Sequence, residues 1–174
     1  MIRDAVNDDV PAIVEIYNDV VARTTAVWSE TLVTAADRRA WLAERHARGF
    51  PVLVVERDGR VVGLASFGDF RPWPGYRHTV ELSIYVAAGC RGRGIGRQLL
   101  VELIARARRL GKRTMIAGVE ASNVASLGLH ERLGFRRGGR LPGVGEKFDR
   151  PLDLVLLYLP LNSLTEPTAG AAAR

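Results

Sequence analysis

The apolar positions of the chain alternate between two periods, and each change of period marks an element. Ile13, Ile16, Tyr17, Val20 and Val21 fall on one helical face, with Asp8 as N-cap and Asp9 and Pro11 in the opening turn. A second helix starts at Thr34, has Asp37 three residues on in a capping-box arrangement, turns Trp41 and Leu42 inward and stops at Gly49. From Ile95 the stripe Ile95, Leu99, Leu100, Leu103, Ile104, Ala107 and Leu110 predicts a third helix, ended by Gly111. Val124, Leu127, Leu129 and Leu133 place a fourth between Ser122 and Leu133, ended by Gly134.

Strand patterns fill the intervals. Ile2 to Ala5 suits a short first strand, and Pro51–Glu56 and Arg60–Phe67 flank Asp58-Gly59, a hairpin turn. Thr79–Ala87 reads as a central strand, followed by Thr114–Val119, a start at Phe135–Arg137, and Leu152–Leu159. Gly138–Gly145 is predicted to be a loop or bulged turn. The order β-α-α-β-β-β-α-β-α-β-β describes an α/β (α+β) protein with a mixed sheet and helices on both faces. Two irregular stretches stand apart. Thr24–Glu30 holds Trp28 and is either a plain connection or a pocket wall. Gly68–Arg77 mixes turn formers, aromatics and two arginines, as a site for a small carboxylate would.

Composition narrows the reading. A length of 174 residues suits one domain with a substantial core, and no apolar run nears the roughly 20 residues of a membrane span. Met1-Ile-Arg-Asp4 lacks a signal-peptide pattern, and the single Cys90 allows no internal disulfide, so a cytoplasmic location is expected. The arginines behind the net charge of +6 are spread along the chain, which gives no basis for nucleic-acid binding but suits a phosphate-bearing cofactor. His46, near a helix end, reads as solvated.

The chemistry concentrates between the central strand and the third helix. Arg91-Gly92-Arg93-Gly94-Ile95-Gly96 joins them, and a glycine turn before a helix N-terminus leaves amide groups free for phosphate. A Walker loop would continue Gly-Lys-Ser/Thr, whereas Gly-Arg-Gln follows here. On the strand, alternation puts Glu81, Ser83 and Tyr85 on one face and Leu82, Ile84 and Val86 on the other. A carboxylate among Val80, Leu82 and Ile84 is a candidate base with a raised pKa, or else the partner of Arg71 or Arg77 in a salt bridge.

Six segments in this order, together with Trp28, resemble the GNAT N-acetyltransferases, and within them the phosphinothricin and methionine sulfone/sulfoximine acetyltransferases. The segments are Tyr17-Asn18-Asp19, Gly68–Trp73, Thr79–Val86, Arg91–Gly96, Asn123–Ser126 and Leu129–Phe135. The resemblance covers about Ile2 to Leu161, implying a single domain over 1–161 and a flexible tail over 162–174. It implies that Arg91, Gly92, Arg93, Gly94, Ile95, Gly96 and Arg97 hold the pyrophosphate of coenzyme A. The backbone of Ile84, Tyr85 and Val86 would pair with the pantetheine arm, Asn123 would bond the cofactor, and Ser126 would lie nearby. Glu81 would be the general base, and His130 would protonate the leaving sulfur or assist deprotonation. For the acceptor, Arg71 would hold a carboxylate between the walls Trp73 and Trp28, beside Pro72, Leu82 and Ser83. Lys147 would approach the pocket, from the same chain or from the second subunit of a homodimer. The implied reaction is direct acetyl transfer from acetyl-CoA to the α-amine of a small amino acid, without a metal or an acyl-enzyme.

Overall fold

The computed structural model describes residues 1–161; the predicted tail lies outside the described residues. The chain runs β1 (Ile2–Asp4), α1 (Val10–Arg23), α2 (Ala35–Ala47), β2 (Val52–Arg57), β3 (Arg60–Asp69), β4 (Thr79–Val86) and α3 (Ile95–Arg109). It continues with β5 (Thr114–Glu120), α4 (Val124–Arg132), β6 (Arg136–Lys147) and β7 (Arg150–Pro160). The predicted order is therefore the observed one. The strands form one seven-stranded sheet in the order β1-β2-β3-β4-β5-β7-β6, antiparallel except for β4 beside β5. A parallel neighbour requires a crossover, and α3 supplies it.

The apolar stripes explain the layers. Ile95, Leu99, Leu100, Leu103 and Ile104 of α3 join Leu127 of α4 over one sheet face. Val10, Ile13 and Ile16 of α1 meet Leu42 of α2 over the other, against Val52, Val54 and Leu64. Alternation along β2 and β3 is thus buried on both sides, which is why these strands read as apolar runs.

Helix starts follow local chemistry. Thr34 and Asp37 cap α2 reciprocally: the Thr34 Oγ accepts from the Asp37 N–H at 3.2 Å, and the Asp37 Oδ2 accepts from the Thr34 N–H at 2.7 Å. At α1 the cap is Asp9 rather than the expected Asp8. Its carboxylate accepts from the Val6 N–H and from both terminal nitrogens of Arg3. The Arg3 guanidinium holds its carboxyl below the usual aspartate range.

Gly138–Gly145 is not a loop. It lies within the long edge strand β6, whose register against β7 shifts at Arg137/Gly139 and at Leu141/Gly145. Glycines and a proline suit an edge that twists and skips pairs, because the ladder is satisfied on one side only.

Lys147 ends this strand with its side chain 2% exposed. Its ammonium donates to the carbonyls of Val21, Thr24 and Val27 at 2.6, 2.7 and 2.7 Å. One cation thereby caps the end of α1 and holds the irregular loop after it. All three ammonium hydrogens are used, so the side chain is not turned toward an acceptor, which corrects the sequence-based role. Lys147→Met would leave three carbonyls without this donor. We expect it to lower unfolding free energy by about 3 kcal/mol, measured by urea denaturation; an unchanged midpoint would show that water replaces the ammonium at no cost.

Candidate active site

The sheet splits in its middle. Thr79, Val80 and Glu81 pair with Thr114, Met115 and Ile116, and there the β4–β5 ladder ends. β4 nonetheless stays on β3 through Val86, and β5 stays on β7 through Glu120. Two leaves therefore diverge from Glu81, and a cavity of about 980 Å³ fills the opening. Its lining takes in Leu82–Val86, Ala117–Glu120, the glycine loop and the start of α4.

Backbone alternation decides which amides face this wedge. The Ala87 N–H bonds the Val62 carbonyl on β3. Stepping back by twos, Tyr85 and Ser83 also point to β3, whereas Leu82, Ile84 and Val86 point into the opening. Ile84 and Val86 are thus free to pair with an extended ligand arm, but the amide of Tyr85 is not. The Tyr85 side chain instead packs on the α1 face, edge-on to Tyr17 with centroids 5.4 Å apart. Burial, then Tyr17, pushes its hydroxyl up to about 12, against the opposing Ser83 and Arg38. Leu82 lines the cavity while its side chain packs into the α3–α4 core, so it meets the opening mainly through its backbone.

The glycine loop has the form expected of an anion cradle. Gly92 and Gly94 have φ of +74° and +78°, and a Cβ on either would meet nothing within 4 Å. Only glycine takes such a backbone without strain. The first bond of α3 runs from the Gln98 N–H to the Gly94 carbonyl. The amides of Ile95, Gly96 and Arg97 are left without helical partners at the positive end of the dipole. These features fit the pyrophosphate of coenzyme A. Ile95 itself anchors the loop in the core, and Gly96 lets α3 approach Leu129 of α4. Arg91 braces the loop: its Nε donates to the Val86 carbonyl at 3.0 Å, and its guanidinium lies 3.5 Å from Asp19. Arg97 lines the cavity, joined by Arg23, Arg132 and Arg150, which the sequence analysis did not single out. Arg93 is exposed and does not line it.

Asn123 caps α4, its Oδ1 accepting from the Ser126 N–H at 3.1 Å, and the amide nitrogen remains for a ligand. Both residues line the cavity. His130, one turn beyond Ser126, is 3% exposed and stands edge-on to Phe135 at 5.0 Å. Its Nδ1 lies 2.8 Å from the Ser126 carbonyl. Burial pulls its pKa below the ordinary histidine range, with the Ser126 carbonyl opposing. A carbonyl oxygen only accepts, so Nδ1 carries a proton toward Ser126.

Two carboxylates occupy the opposite face of the wedge, where their environments set them apart. Glu81 forms no ion pair or side-chain hydrogen bond among the described residues; its Oε1 rests against Gly118, where a Cβ would stand 3.4 Å away. Burial raises its pKa, opposed by the charge of Arg71. The alternative salt-bridge reading is thereby reduced to a distant influence. Glu120 shares the face by alternation along β5. Burial also pushes its pKa up, but bonds from the Ser122 hydroxyl and amide and from the Thr25 hydroxyl prevail, and it lies below the usual glutamate range. Glu120 is a fixed anion tying the α1–α2 loop to the β5–α4 turn, whereas Glu81 is free to exchange a proton.

The expected acceptor walls do not meet. Trp28 lies flat on Gly145 and donates its Nε1–H to the Thr25 carbonyl at 3.0 Å. Trp73 is 68% exposed, and Arg71 is exposed too, its guanidinium 4.3 Å from the centre of the Phe70 ring. Pro72, Pro74 and Gly75 carry this segment outward in an exposed turn. Ser83, by contrast, lines the cavity, whereas Glu81, two positions back on the same strand face, is not among the lining residues and reaches it through Gly118.

Comparison with known proteins gives this architecture a family. Residues 13–135 match the acetyltransferase (GNAT) family. The L-methionine sulfoximine/L-methionine sulfone acetyltransferase of Pseudomonas aeruginosa is 50% identical over 98% of this chain and 97% of its own. A structure of ribosomal-protein-alanine N-acetyltransferase from Brucella melitensis superposes with a TM-score of 0.91 at 52% identity, covering 92% of this chain and 99% of that one. A phosphinothricin acetyltransferase from Sinorhizobium meliloti in complex with acetyl-CoA does so with a TM-score of 0.91 at 36% identity, over 99% and 95%. The split sheet, the amide-lined glycine loop and the matched sequence belong together: this chain is a member of the GNAT acetyltransferase family, enzymes that draw their acetyl group from acetyl-CoA.

Proposed function

We propose that this enzyme acetylates the α-amine of a small amino acid or analogue, with methionine sulfone, methionine sulfoximine and phosphinothricin as favoured acceptors. The observation that carries the reading is the unpaired carboxylate of Glu81 at the apex of the wedge. An α-ammonium has a pKa near 8 and must lose a proton before it can attack a thioester. Glu81 takes that proton, directly or through a water, and its raised pKa makes it a better base than an ordinary surface carboxylate. The amides of Ile84 and Val86 hold the arm and orient the acetyl carbonyl, whose oxygen gains charge as the amine adds. Collapse of the adduct breaks the C–S bond while the former amine nitrogen sheds its remaining excess proton, which the departing thiolate can take up to leave as the thiol; Cys90, at the loop rather than beside Glu81, has no part in the transfer. Arg71, whose charge reaches Glu81 without pairing with it, would draw the acceptor's carboxylate toward the opening.

A second reading has support from one feature. The exposed Arg71–Tyr76 segment leaves the acceptor side open in a single chain, which suits a peptide N-terminus as well as a free amino acid. The two readings share Glu81 and differ in what lies beyond the amine.

The partner in this proposal is a second copy of the chain. β6 is the outermost strand of the sheet, nothing among the described residues covers most of its length, and Leu141, Val144 and the adjoining Phe148 are exposed. An apolar, unpaired edge is a site for association. A copy docked there would also place new walls near Trp28 and Phe148.

Thiol release from acetyl-CoA, measured over methionine sulfone, methionine sulfoximine, phosphinothricin, ordinary amino acids, a polyamine and a short peptide, should favour the first three. Activity on the peptide alone would establish the second reading. Glu81→Gln should lower kcat by about 10²–10⁴-fold with little change in coenzyme A affinity by calorimetry. In the parent enzyme kcat/KM should rise with pH as Glu81 deprotonates, on a limb above the ordinary carboxylate range, because burial raises that pKa. The variant should lack this limb, and retaining it would assign the limb to another group. Sedimentation equilibrium should find a dimer that Leu141→Glu with Val144→Glu dissociates; a monomeric parent protein at working concentration would refute the association.

A further inference from the structure

One cation on the acceptor face is left unused by the fold. Arg45 follows Trp41 and Leu42 by one helical turn, so α2 turns it toward the sheet, and its guanidinium rests on Gly68 of β3. The fit needs glycine there, since a Cβ at position 68 would stand 1.7 Å from Nη1 of Arg45. Trp41 and Phe50 flank the guanidinium, their ring centres 5.9 and 5.8 Å from its central carbon. Among the described residues it forms no ion pair and no side-chain hydrogen bond. Asp69, the carboxylate next to Gly68, is taken by Arg48 instead. Nε is sealed off without a partner, and the two terminal nitrogens are the donors left to offer. Burial pulls the Arg45 pKa below the ordinary arginine value, and the charges of Glu44 and Asp69 do not offset it.

Gly68 is also the residue directly across from Glu81 in the β3–β4 ladder. Phe67 and Val80, their chain neighbours, enter the core under α3 and α4, so Gly68 and Glu81 both face α1 and α2. Neighbouring strands lie about 4.8 Å apart. An unpaired cation and an unpaired carboxylate therefore stand about one strand apart on one face, both partly open to solvent, with no hydrogen bond between them. A free α-amino acid carries the complementary pair, an amine and a carboxylate on one carbon. We infer that Arg45 binds the α-carboxylate of the acceptor through its terminal nitrogens while Glu81 meets the amine. The inference rests on the amino-acid reading proposed above and supplies its selectivity: a peptide N-terminus has a neutral amide where the carboxylate would lie. Arg71, exposed, draws the acceptor in, and Arg45 holds it.

Steady-state kinetics at saturating acetyl-CoA would compare the best free amino acid of the acceptor panel, expected to be methionine sulfone, with its primary carboxamide. The carboxamide keeps the amine and the side chain but loses the negative charge. In Arg45→Gln, KM for the acid should rise about 10- to 100-fold, the loss expected for hydrogen bonds to a charged group, with kcat little changed. KM for the carboxamide should stay where it is. Gly68→Ala is the second variant: it keeps the charge, displaces only the far end of a flexible side chain, and should show the same acid-specific rise. It decides the matter if Arg45→Gln fails to fold. A folded Arg45→Gln that changes KM equally for both acceptors, or for neither, would overturn the assignment and leave acetylation of amino acids standing. A parent enzyme without activity on free amino acids would overturn the amino-acid reading and the assignment with it.

Discussion

The structure turns on one interrupted ladder. A sheet normally satisfies both edges of every interior strand, and a buried amide left unpaired costs about 1–3 kcal/mol. Here β4 and β5 abandon each other after Glu81 and Ile116, although each keeps its outer partner to its end. The strands stay in place because their side chains are committed elsewhere. Leu82, Ile84 and Val86 pack against the core built on α3 and α4, while Ala117 and Val119 on β5 enter the same core. Burial of apolar area thus holds open a wedge whose backbone groups await an extended ligand. The same divergence makes Glu81 the last paired residue of its ladder and sets its carboxyl beside the opening.

Electrostatics then sorts the groups around the wedge. The glycine loop and the arginines lining the cavity make the coenzyme side positive. On the other face, two glutamates two strand positions apart in their neighbours behave oppositely: Glu120 is tied down by Ser122 and Thr25, and Glu81 is left unbonded against Gly118. A fully bonded carboxylate holds its charge and organises loops, whereas an unbonded one in a partly buried place keeps a proton longer and can exchange it. Lys147 plays the corresponding structural part among the cations, since its ammonium is spent on the carbonyls of Val21, Thr24 and Val27.

These placements reach function through the α1–α2 loop. Lys147 grips its start from β6, Glu120 bonds Thr25 from β5, and Trp28 folds down on Gly145. The loop that borders the acceptor side is therefore fixed from the distal half of the sheet. The Arg71–Tyr76 segment has no such ties among the described residues and stands exposed. The wedge and its glycine loop are lined by residues of a single chain, whereas the Arg71–Tyr76 segment stands exposed.

By itself the sequence determined the element order, both helical layers, the glycine cradle and the candidacy of Glu81, because each depends on local spacing. Apolar residues at helical intervals, strict alternation along Thr79–Val86 and glycines where φ must be positive act within a few residues of one another. The tertiary structure decided what depends on partners far along the chain. It turned Tyr85's amide to β3 and those of Ile84 and Val86 to the wedge, and it gave Asp9 rather than Asp8 the helix cap. It spent Lys147 on carbonyls 120 to 126 positions away, put a proton on His130 Nδ1, and left Arg71 and Trp73 outside any wall. The physical reason is the same throughout. Periodicity records which side of an element is apolar, but a donor's partner, a proton's position and a side chain's burial are set by what the fold brings against it.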